Sequence, residues 1–307
     1  MATIPADVQK RTIFEQEFKS VVETKNVFSP VATKLISTAK NILSPFTSVT
    51  DAKAHTQTCK VPLGTLTIGN DELVLDRRVG NSLTDCEEEL SYAAFDLQGM
   101  IRRDLYASVM KRANELAVTD FVADATSGGA ISLTTGDEVR NWLIGVAADA
   151  EANTVGLQQR IDGARTMRAE KHGQPFVAAG RDAFVRIVSQ VASIVGQSSL
   201  RGLDGGNMVE TPYGVTIINL GSSADAVNRI IWGVAGVPTI AYREDKIDVG
   251  MGEMTSTTTY SGYTDLDLED GDPLLARTWY IYAQTLGRNG IFSNVQSLVS
   301  AGTATLA

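Results

Sequence analysis

Cysteine and histidine are scarce in this chain. The 307 residues contain two of each, Cys59 and Cys86, and His55 and His172. The cysteines are too few and too far apart in sequence for a metal cluster, and their low number suits a reducing compartment. Two histidines also exclude a histidine-rich zinc site. We interpret both cysteines as small packing residues.

Long apolar runs are absent as well. No stretch approaches the 18 residues that a membrane-spanning helix needs. The amino-terminal segment MATIPADVQKRTIFEQEF lacks the apolar core of a signal peptide. Hydrophobic residues make up 43% and charged residues 21% of the chain, which is an ordinary globular composition. We therefore expect a globular protein that is made in a cytoplasm and has no contact with a membrane.

Net positive charge is lacking overall, since the chain carries a formal charge of −9. Residues 1–60 hold eight basic and five acidic groups, hence +3, whereas residues 61–150 hold seven and fifteen, hence −8, and the remainder is −4. An acidic protein is a poor general nucleic-acid binder, because neutralising phosphates requires a basic face. The mildly basic amino terminus either faces a polyanion or is simply solvated.

Catalytic and cofactor motifs are also missing. The sequence contains no GxSxG, P-loop, HExxH, CxxC or post-strand GxGxxG motif. GLDGGN at 202–207 is interpreted as a flexible loop, and DLDLEDGD at 265–272 as an acidic loop without the spacing of a calcium site. The carboxylates of residues 87–89 point in different directions on a helix, so they cannot converge on one ion. The prediction is no catalytic, cofactor-binding or metal-binding residue, and thus no enzyme.

The strongest pattern is a long amphipathic helix over residues 97–125. Apolar residues recur every three or four positions along one face, while arginine and lysine fall mostly off it. No proline interrupts this run, and about 28 residues would span roughly 42 Å. The face consists of Leu97, Ile101, Leu105, Val109, Ala113, Leu116 and Ala117. A helix this long needs a broad partner surface, so we expect it to be the spine of the molecule.

The region before this helix does not read as a compact domain. Residues 8–22 have helical spacing, and Ser29-Pro30 predicts a second helix that runs to about residue 43. These two helices would form an arm that buries its apolar faces elsewhere, with another subunit as one option. Residues 54–84 predict a long hairpin with its turn at residues 69–71, although two strands of an ordinary sheet fit the pattern as well.

The segments around and after the long helix alternate helices and strands. A capping box at residues 84–87 predicts a short helix to about residue 95. Beyond the long helix the expected elements are a strand (131–134), a helix (138–150), a helix from Thr154 to about residue 171, a strand (175–179), a helix capped by Asp182, and a mobile loop (196–211). From Tyr213 onward short strands follow. The strongest spans 276–286, with a turn at 287–290 and a last strand at 291–299.

This order of parts resembles the tailed-bacteriophage major capsid proteins, which have the Hong Kong 97-type coat fold. The residues that carry the resemblance are 73–129, which include the spine, Asp120 near its end and a small-residue loop, together with QPFVAAGRDAFVRIV (174–188) and LLARTWYIYAQTLGRNGIFSN (274–294). The likeness covers nearly the whole chain, but it lies in the pattern of elements and not in a short diagnostic motif.

The resemblance implies an α+β coat fold and a division of the chain. Residues 1–53 would be the amino-terminal arm and 54–84 the extended loop. Residues 85–150 with 274–307 would form the peripheral domain around the spine helix, and 151–273 the axial domain with a mixed sheet. Some family members form a Lys–Asn crosslink; Lys60 and Asn294 stand in the corresponding regions, but no aligned motif supports the pair, so no crosslink is expected.

The implied function is that of a major capsid protein, a structural protein of the virion. It would self-assemble through pentamers and hexamers into an icosahedral shell around double-stranded DNA, and portal, scaffold and decoration or cement proteins would be further partners. Association would come from apolar burial over large interfaces, with charge setting register. Two alternatives stay open: an encapsulin-like nanocompartment shell, and a soluble α+β enzyme or ligand-binding protein.

Overall fold

The computed structural model describes residues 6–49, 66–86, 97–161, 173–196, 200–203, 207–221, 227–259 and 273–306. The helices are α1 (Ala6–Thr24), α2 (Leu97–Asp124), α3 (Gly136–Ile161) and α4 (Arg181–Val195). The strands are β1 (Thr33–Ser37), β2 (Asn41–Val49), β3 (Leu66–Val74), β4 (Arg77–Cys86), β5 (Thr126–Ser132), β6 (Pro175–Ala179), β7 (Arg201–Leu203), β8 (Met208–Glu210), β9 (Thr216–Asn219), β10 (Arg229–Val234), β11 (Thr239–Arg243), β12 (Asp248–Thr259), β13 (Pro273–Gly290) and β14 (Val299–Thr305).

The long helix is present as predicted. Helix α2 has 28 residues and ends one residue before the predicted boundary. Its buried positions, among them Leu105, Val109, Ala113 and Ala117, follow the predicted apolar face. Absence of proline and a continuous apolar row are therefore sufficient to predict this element.

A seven-stranded mixed sheet forms the largest part of the described fold. Its strand order is β5-β14-β10-β6-β9-β8-β7, with parallel pairing at β14/β5 and β6/β9 and antiparallel pairing elsewhere. Both faces of strand β6 are buried, which fits its continuous apolar sequence PFVAA. Helices α3 and α4 pack with this sheet in one core that includes Leu143, Phe184 and Ile187.

Strands β2 and β3 form a separate two-stranded ribbon, and this overturns two predictions. The second arm helix is wrong, because residues 33–37 and 41–49 are strands that pair with partners far along the chain. The hairpin turn at residues 69–71 is also wrong, because β3 continues through it. There Gly69 pairs in register with Phe46, so it is a strand residue and not part of a turn. Residues 54–65 lie outside the described residues.

Strand β13 is longer than predicted. It extends to Gly290, so the expected turn at 287–290 is wrong. Its last residues pair with β11, and a side chain at Gly287 would overlap the carbonyl oxygen of Ala241. Gly287 therefore allows β11 and β13 to approach each other closely. The predicted strand at 291–299 is a 3₁₀ helix over Ser293–Leu298, and the last strand, β14, follows it. Along the rest of its length β13 pairs with β12.

Several other boundaries differ from the predictions. One continuous helix, α3, replaces the two expected at 138–150 and from Thr154, since neither proline nor glycine interrupts 146–155. Residues 84–86 belong to β4, so the capping box does not form there, and residues 87–96 of the expected short helix lie outside the described part. Gly180, not Asp182, caps α4. Within the predicted loop 196–211, β7 and β8 pair as a small hairpin.

The described residues divide into two compact units. One draws on Met1–Lys25, Arg77–Ala113 and Arg243–Leu286, and the other on Asn26–Asp76, Asn114–Tyr242 and Gly287–Ala307. These bounds differ from the division that the resemblance implies. In addition, β5 and β14, both expected in the peripheral domain, share one sheet with β6 to β10. The sheet therefore joins segments that are far apart in the chain.

Candidate interaction surfaces

The first surface is the outer face of the β2–β3 ribbon. The antiparallel register pairs Ile42 with Leu73 and Leu43 with Glu72, so these two pairs lie on opposite faces. Ile42 and Leu73 pack in a small core with Phe292. On the opposite face Leu43 is 59% exposed and Val74 37% exposed. The ribbon therefore covers one apolar face within its own subunit and leaves apolar side chains on the other.

The base of the ribbon is tied to the residues that end and follow β13. Asp71 accepts a hydrogen bond of 2.8 Å from the hydroxyl of Ser293. Arg288 lies between two carboxylates, with Nη1 3.4 Å from Asp76 Oδ1 and Nη2 3.9 Å from Asp124 Oδ1. The other oxygen of Asp124 accepts a hydrogen bond of 3.3 Å from the amide of Ile291. Three separate segments thus meet around the guanidinium of Arg288.

Helix α1 docks on residues of its own compact unit. Phe18 is fully buried and its ring lies 4.8 Å from that of Tyr106. Arg102 sits 4.0 Å above the ring of Phe14 and forms an ion pair of 3.3 Å with Glu17. Burial is the main reason that the pKa of Tyr106 rises to about 12, and the negative charge of Glu17 adds to this rise. The expected arm helix thus buries its apolar face outside the arm, on α2 of its own subunit, and for this face the option of another subunit is not needed.

The segment that follows α1 is anchored by a buried polar contact. The side-chain amide of Asn26 donates a hydrogen bond of 3.2 Å to the hydroxyl of Tyr242. Burial raises the pKa of Tyr242, while the hydrogen bond from Asn26 opposes this rise. Two residues later, the ring of Phe28 packs edge-on against Phe121 at 4.6 Å. Residues 26–28 are therefore an integral part of their unit's core.

A second surface is the exposed side of α4. Val185 is 58% exposed, and Ile194 near the end of the helix is also exposed. The hydroxyls of Ser189 and Ser193 donate to carbonyl oxygens of their own helix, at 2.9 and 2.7 Å. Arg186 is turned inward and donates to the carbonyl oxygens of Leu133 and Thr134. Val185 and Ile194 are thus exposed on α4 beside serine hydroxyls that already bond within the helix.

The most perturbed carboxylate, Glu138, has a structural explanation. Thr135 and Glu138 form a capping box at the start of α3, in which each backbone amide donates to the other residue's side chain, at 3.0 and 3.3 Å. Ser132 and Thr134 also donate hydroxyl hydrogen bonds to Glu138. Together these bonds lower its pKa to about 2. Glu138 therefore stabilises a helix start and needs no catalytic role to explain its pKa.

The residues weighed as chemical candidates are mostly outside the described part of the chain. This holds for His55, Cys59, Lys60, Glu87–Glu89, His172, and residues 204–206 and 265–272. Among the described residues, no group of three acidic, histidine or cysteine side chains could hold a metal ion, and no helix is both long and apolar enough to cross a membrane. Asp120 is buried within α2.

Sequence reasoning missed the Arg288 cluster and the exposed face of the ribbon. A signal for the first was present, because α2 ends in Asp124 with no basic residue in its last turn. A carboxylate is unfavourable at the negative end of a helix dipole, so a distant cation was to be expected. For the ribbon, the sequence has no clear apolar–polar alternation at residues 42–44 and 72–74, and only the pairing register shows which face is covered.

The similarity to known proteins lies in the fold. No family model matches the chain, and no curated protein gives a significant sequence match. The structure superposes on a capsid chain of the cyanophage P-SCSP1u with a TM-score of 0.54 at 10% identity, covering 91% of this chain and 88% of that one. For the mature capsid of bacteriophage PhiM1 the values are 0.51, 9%, 91% and 86%. A capsid chain of a native GTA particle gives 0.50, 9%, 93% and 90%.

These matches extend over nearly the whole length of both chains, so they concern the complete arrangement of elements. The α+β class with a mixed sheet is confirmed. The chain has the fold of phage capsid proteins, the Hong Kong 97-type coat fold that residues 73–129, 174–188 and 274–294 resemble.

Proposed function

We propose that this protein is a major capsid protein that self-assembles into a closed icosahedral shell. The observation that carries the proposal is the shared fold with solved phage capsid chains over 91% of its length. The same fold in a GTA particle supports a shell as the common function of these chains. The role is structural, so we assign no catalytic, cofactor-binding or metal-binding residue.

The exposed face of the ribbon supports this proposal in physical terms. A two-stranded ribbon needs another element to pack against, which its Ile42–Leu73 face finds within the subunit, whereas its second face carries exposed apolar side chains. Leu43 and Val74 lie on that second face and are exposed in the single chain. A neighbouring subunit in a shell would cover them and add the missing packing. The ribbon would then be the start of the extended loop, placed at 41–49 and 66–74 instead of 54–84 alone.

The other segments take their proposed roles from the same fold. Helix α2 would be the spine of the peripheral domain, and the seven-stranded sheet with α3 and α4 would supply most of the axial domain that gathers around five- and six-fold positions. Residues before the ribbon would be the amino-terminal arm, of which α1 docks within its own unit. Double-stranded DNA would be enclosed without base-specific contacts, and portal, scaffold and decoration proteins would be further partners in the virion.

The direct test is negative-stain and cryo-electron microscopy of the purified full-length protein. We expect closed particles with pentameric and hexameric capsomers. A monomer or small oligomer under all assembly conditions would contradict the proposal and favour a soluble α+β protein. Nucleic acid protected inside particles from phage-infected cells supports a DNA shell, whereas particles filled with a cargo protein would favour a nanocompartment.

A paired variant tests the role of the ribbon. Leu43→Asp removes an exposed apolar side chain from this face and places a second negative charge opposite Glu72, so it should block particle formation while the folded subunit remains intact. Thr38→Asp places the same charge in the exposed bend before the ribbon and serves as the control. Circular dichroism and thermal melting check the fold of both. Equal particle yields from the two variants would exclude the outer face of the ribbon as an assembly surface.

A further inference from the structure

The cluster at the base of the ribbon points to a specific role for one residue. We propose that Arg288 is a positioning residue: it clips the base of the β2–β3 ribbon to the end of helix α2 and thereby holds the ribbon in the direction required for assembly. The clip itself is inferred from the geometry of a single chain, whereas its importance for assembly rests on the proposed function.

The contacts of Arg288 connect three segments of the chain. Asp76 lies two residues after the ribbon strand β3 and immediately before β4, Asp124 ends α2, and Arg288 lies near the end of β13. One guanidinium reaches both carboxylates, through Nη1 and Nη2 respectively. Without a cation between them, two negative charges would face each other, and one of them would also face the negative end of a helix dipole. Arg288 thus joins two segments that would otherwise repel.

The fold leaves room for this contact at Gly290. A side chain at Gly290 would lie 2.8 Å from Asp124 Oδ2 and 2.7 Å from Leu73 Cδ1. Glycine at this position lets both the ribbon residue Leu73 and the helix residue Asp124 approach the strand. The hydrogen bond between Asp71 and Ser293 adds a second tie just beyond Gly290. The ribbon therefore contacts the end of β13 at Leu73 and the residue Ser293 beyond it at Asp71.

The two ion pairs of Arg288 are weak. The side chains of Arg288, Asp76 and Asp124 are 26%, 49% and 23% exposed, and both distances are longer than an ideal ion pair. Such partly exposed pairs are weak and are screened by salt. They contribute little to global stability, so the effect that we propose for them is confined to the orientation of the ribbon. The clip is consequently a salt-sensitive contact.

Hydrogen–deuterium exchange of the full-length chain before assembly is triggered tests the clip itself. In Arg288→Gln we expect amides at 41–44 and 69–74 to exchange about fivefold faster at low salt, the effect of losing a contact of this class. Arg288→Lys should restore most of the protection, because one ammonium can lie between the two carboxylates. Arg140→Gln, which removes a surface pair with Asp137 on α3, is the matched control and should leave the ribbon unchanged.

Two further measurements separate positioning from general destabilisation. Asp76→Asn should reproduce the faster ribbon exchange, and about 1 M salt should remove the difference between wild type and Arg288→Gln. If exchange rises at the end of α2 but not in the ribbon, or if Asp76→Asn has no effect, the clip is refuted. Particle formation is scored separately by light scattering, with slower assembly expected for Arg288→Gln. If Arg288→Gln assembles normally despite faster ribbon exchange, only the assembly role of Arg288 is overturned. If the wild type forms no particles, only the proposed function is overturned.

Discussion

Replacing Phe18 with alanine tests whether α1 docks within its own compact unit. Phe18 is fully buried and stacks against Tyr106, and Val22, one turn later, is also fully buried. Two ion pairs of the helix, Arg102 with Glu17 and Lys19 with Glu244, involve acidic partners that are 46% and 51% exposed. Each such pair contributes at most about 1 kcal/mol. Apolar burial therefore dominates the docking of α1.

The expected size of the effect follows from this burial. Truncating a buried phenylalanine to alanine costs about 3–5 kcal/mol, because the ring leaves a cavity as well as losing its transfer energy. Docking of one helix is worth no more than a few buried side chains, so this loss is large enough to release α1 before the rest of the unit unfolds. Amides of α1 should then exchange about 100-fold faster or more, since each ~1.4 kcal/mol is a factor of ten.

Tyr106 supplies an independent readout of the same event. Burial is the main cause of its high pKa, so release of α1 should lower the pKa of Tyr106 from about 12 toward its ordinary value of 10.0. An ultraviolet titration of the phenolate band between about pH 9 and pH 11, around the ordinary tyrosine pKa, should show one additional tyrosine ionising in Phe18→Ala compared with wild type.

Gln16→Ala is the matched control, because Gln16 is exposed on the same helix. It should leave both the exchange rates and the tyrosine titration unchanged. If the amides of α1 are equally protected in Phe18→Ala and Gln16→Ala in the unassembled protein, the helix is not held by Phe18, and packing of the arm on another subunit becomes the favoured option.

Three further substitutions have signs that the structure determines. Glu138→Gln keeps the capping box but removes a carboxylate whose pKa is lowered to about 2. The stabilising effect of the ionised carboxylate is present above the ordinary pKa of 4.5 and is lost as the pH falls toward 2. The urea midpoint should therefore fall less between about pH 6 and pH 3 in this variant than in wild type or in the control Glu151→Gln. Gly128→Ala would drive a Cβ into the indole of Trp232 and should lower stability by about 1–3 kcal/mol in urea melts. Gly145→Ala, at an open position within α3, should instead raise stability by up to about 1 kcal/mol, and equal effects of the two glycine substitutions would contradict the packing around Trp232.

Local sequence patterns were sufficient where an element could be recognised without its partners. Helix α2 and strand β6 are present at the predicted positions because an unbroken apolar face and a short continuous apolar run each specify their own structure. The helix at residues 6–24 is likewise present. The order of these elements also carried the resemblance to the coat fold, which the structural comparison confirms at 10% identity.

Partners that are distant in sequence decided the rest. Ser29-Pro30 and Gly69-Asn70 are ordinary local signals for a helix start and a turn, but pairing of β2 with β3 over nine residues outweighs both. The same holds for residues 287–290, where pairing with β11 uses glycine for close approach instead of a turn.

The sequence by itself thus determined the class of fold, the position of the long helix and the absence of a recognisable catalytic motif. Only the tertiary structure decided that α1 packs within its own unit, which face of the ribbon is left exposed, and that Arg288 lies between Asp76 and Asp124. The physical reason is the distance along the sequence over which each kind of interaction acts. Periodicity and capping act over a few neighbouring residues, whereas register and ion pairing depend on residues brought together from positions that no local pattern connects.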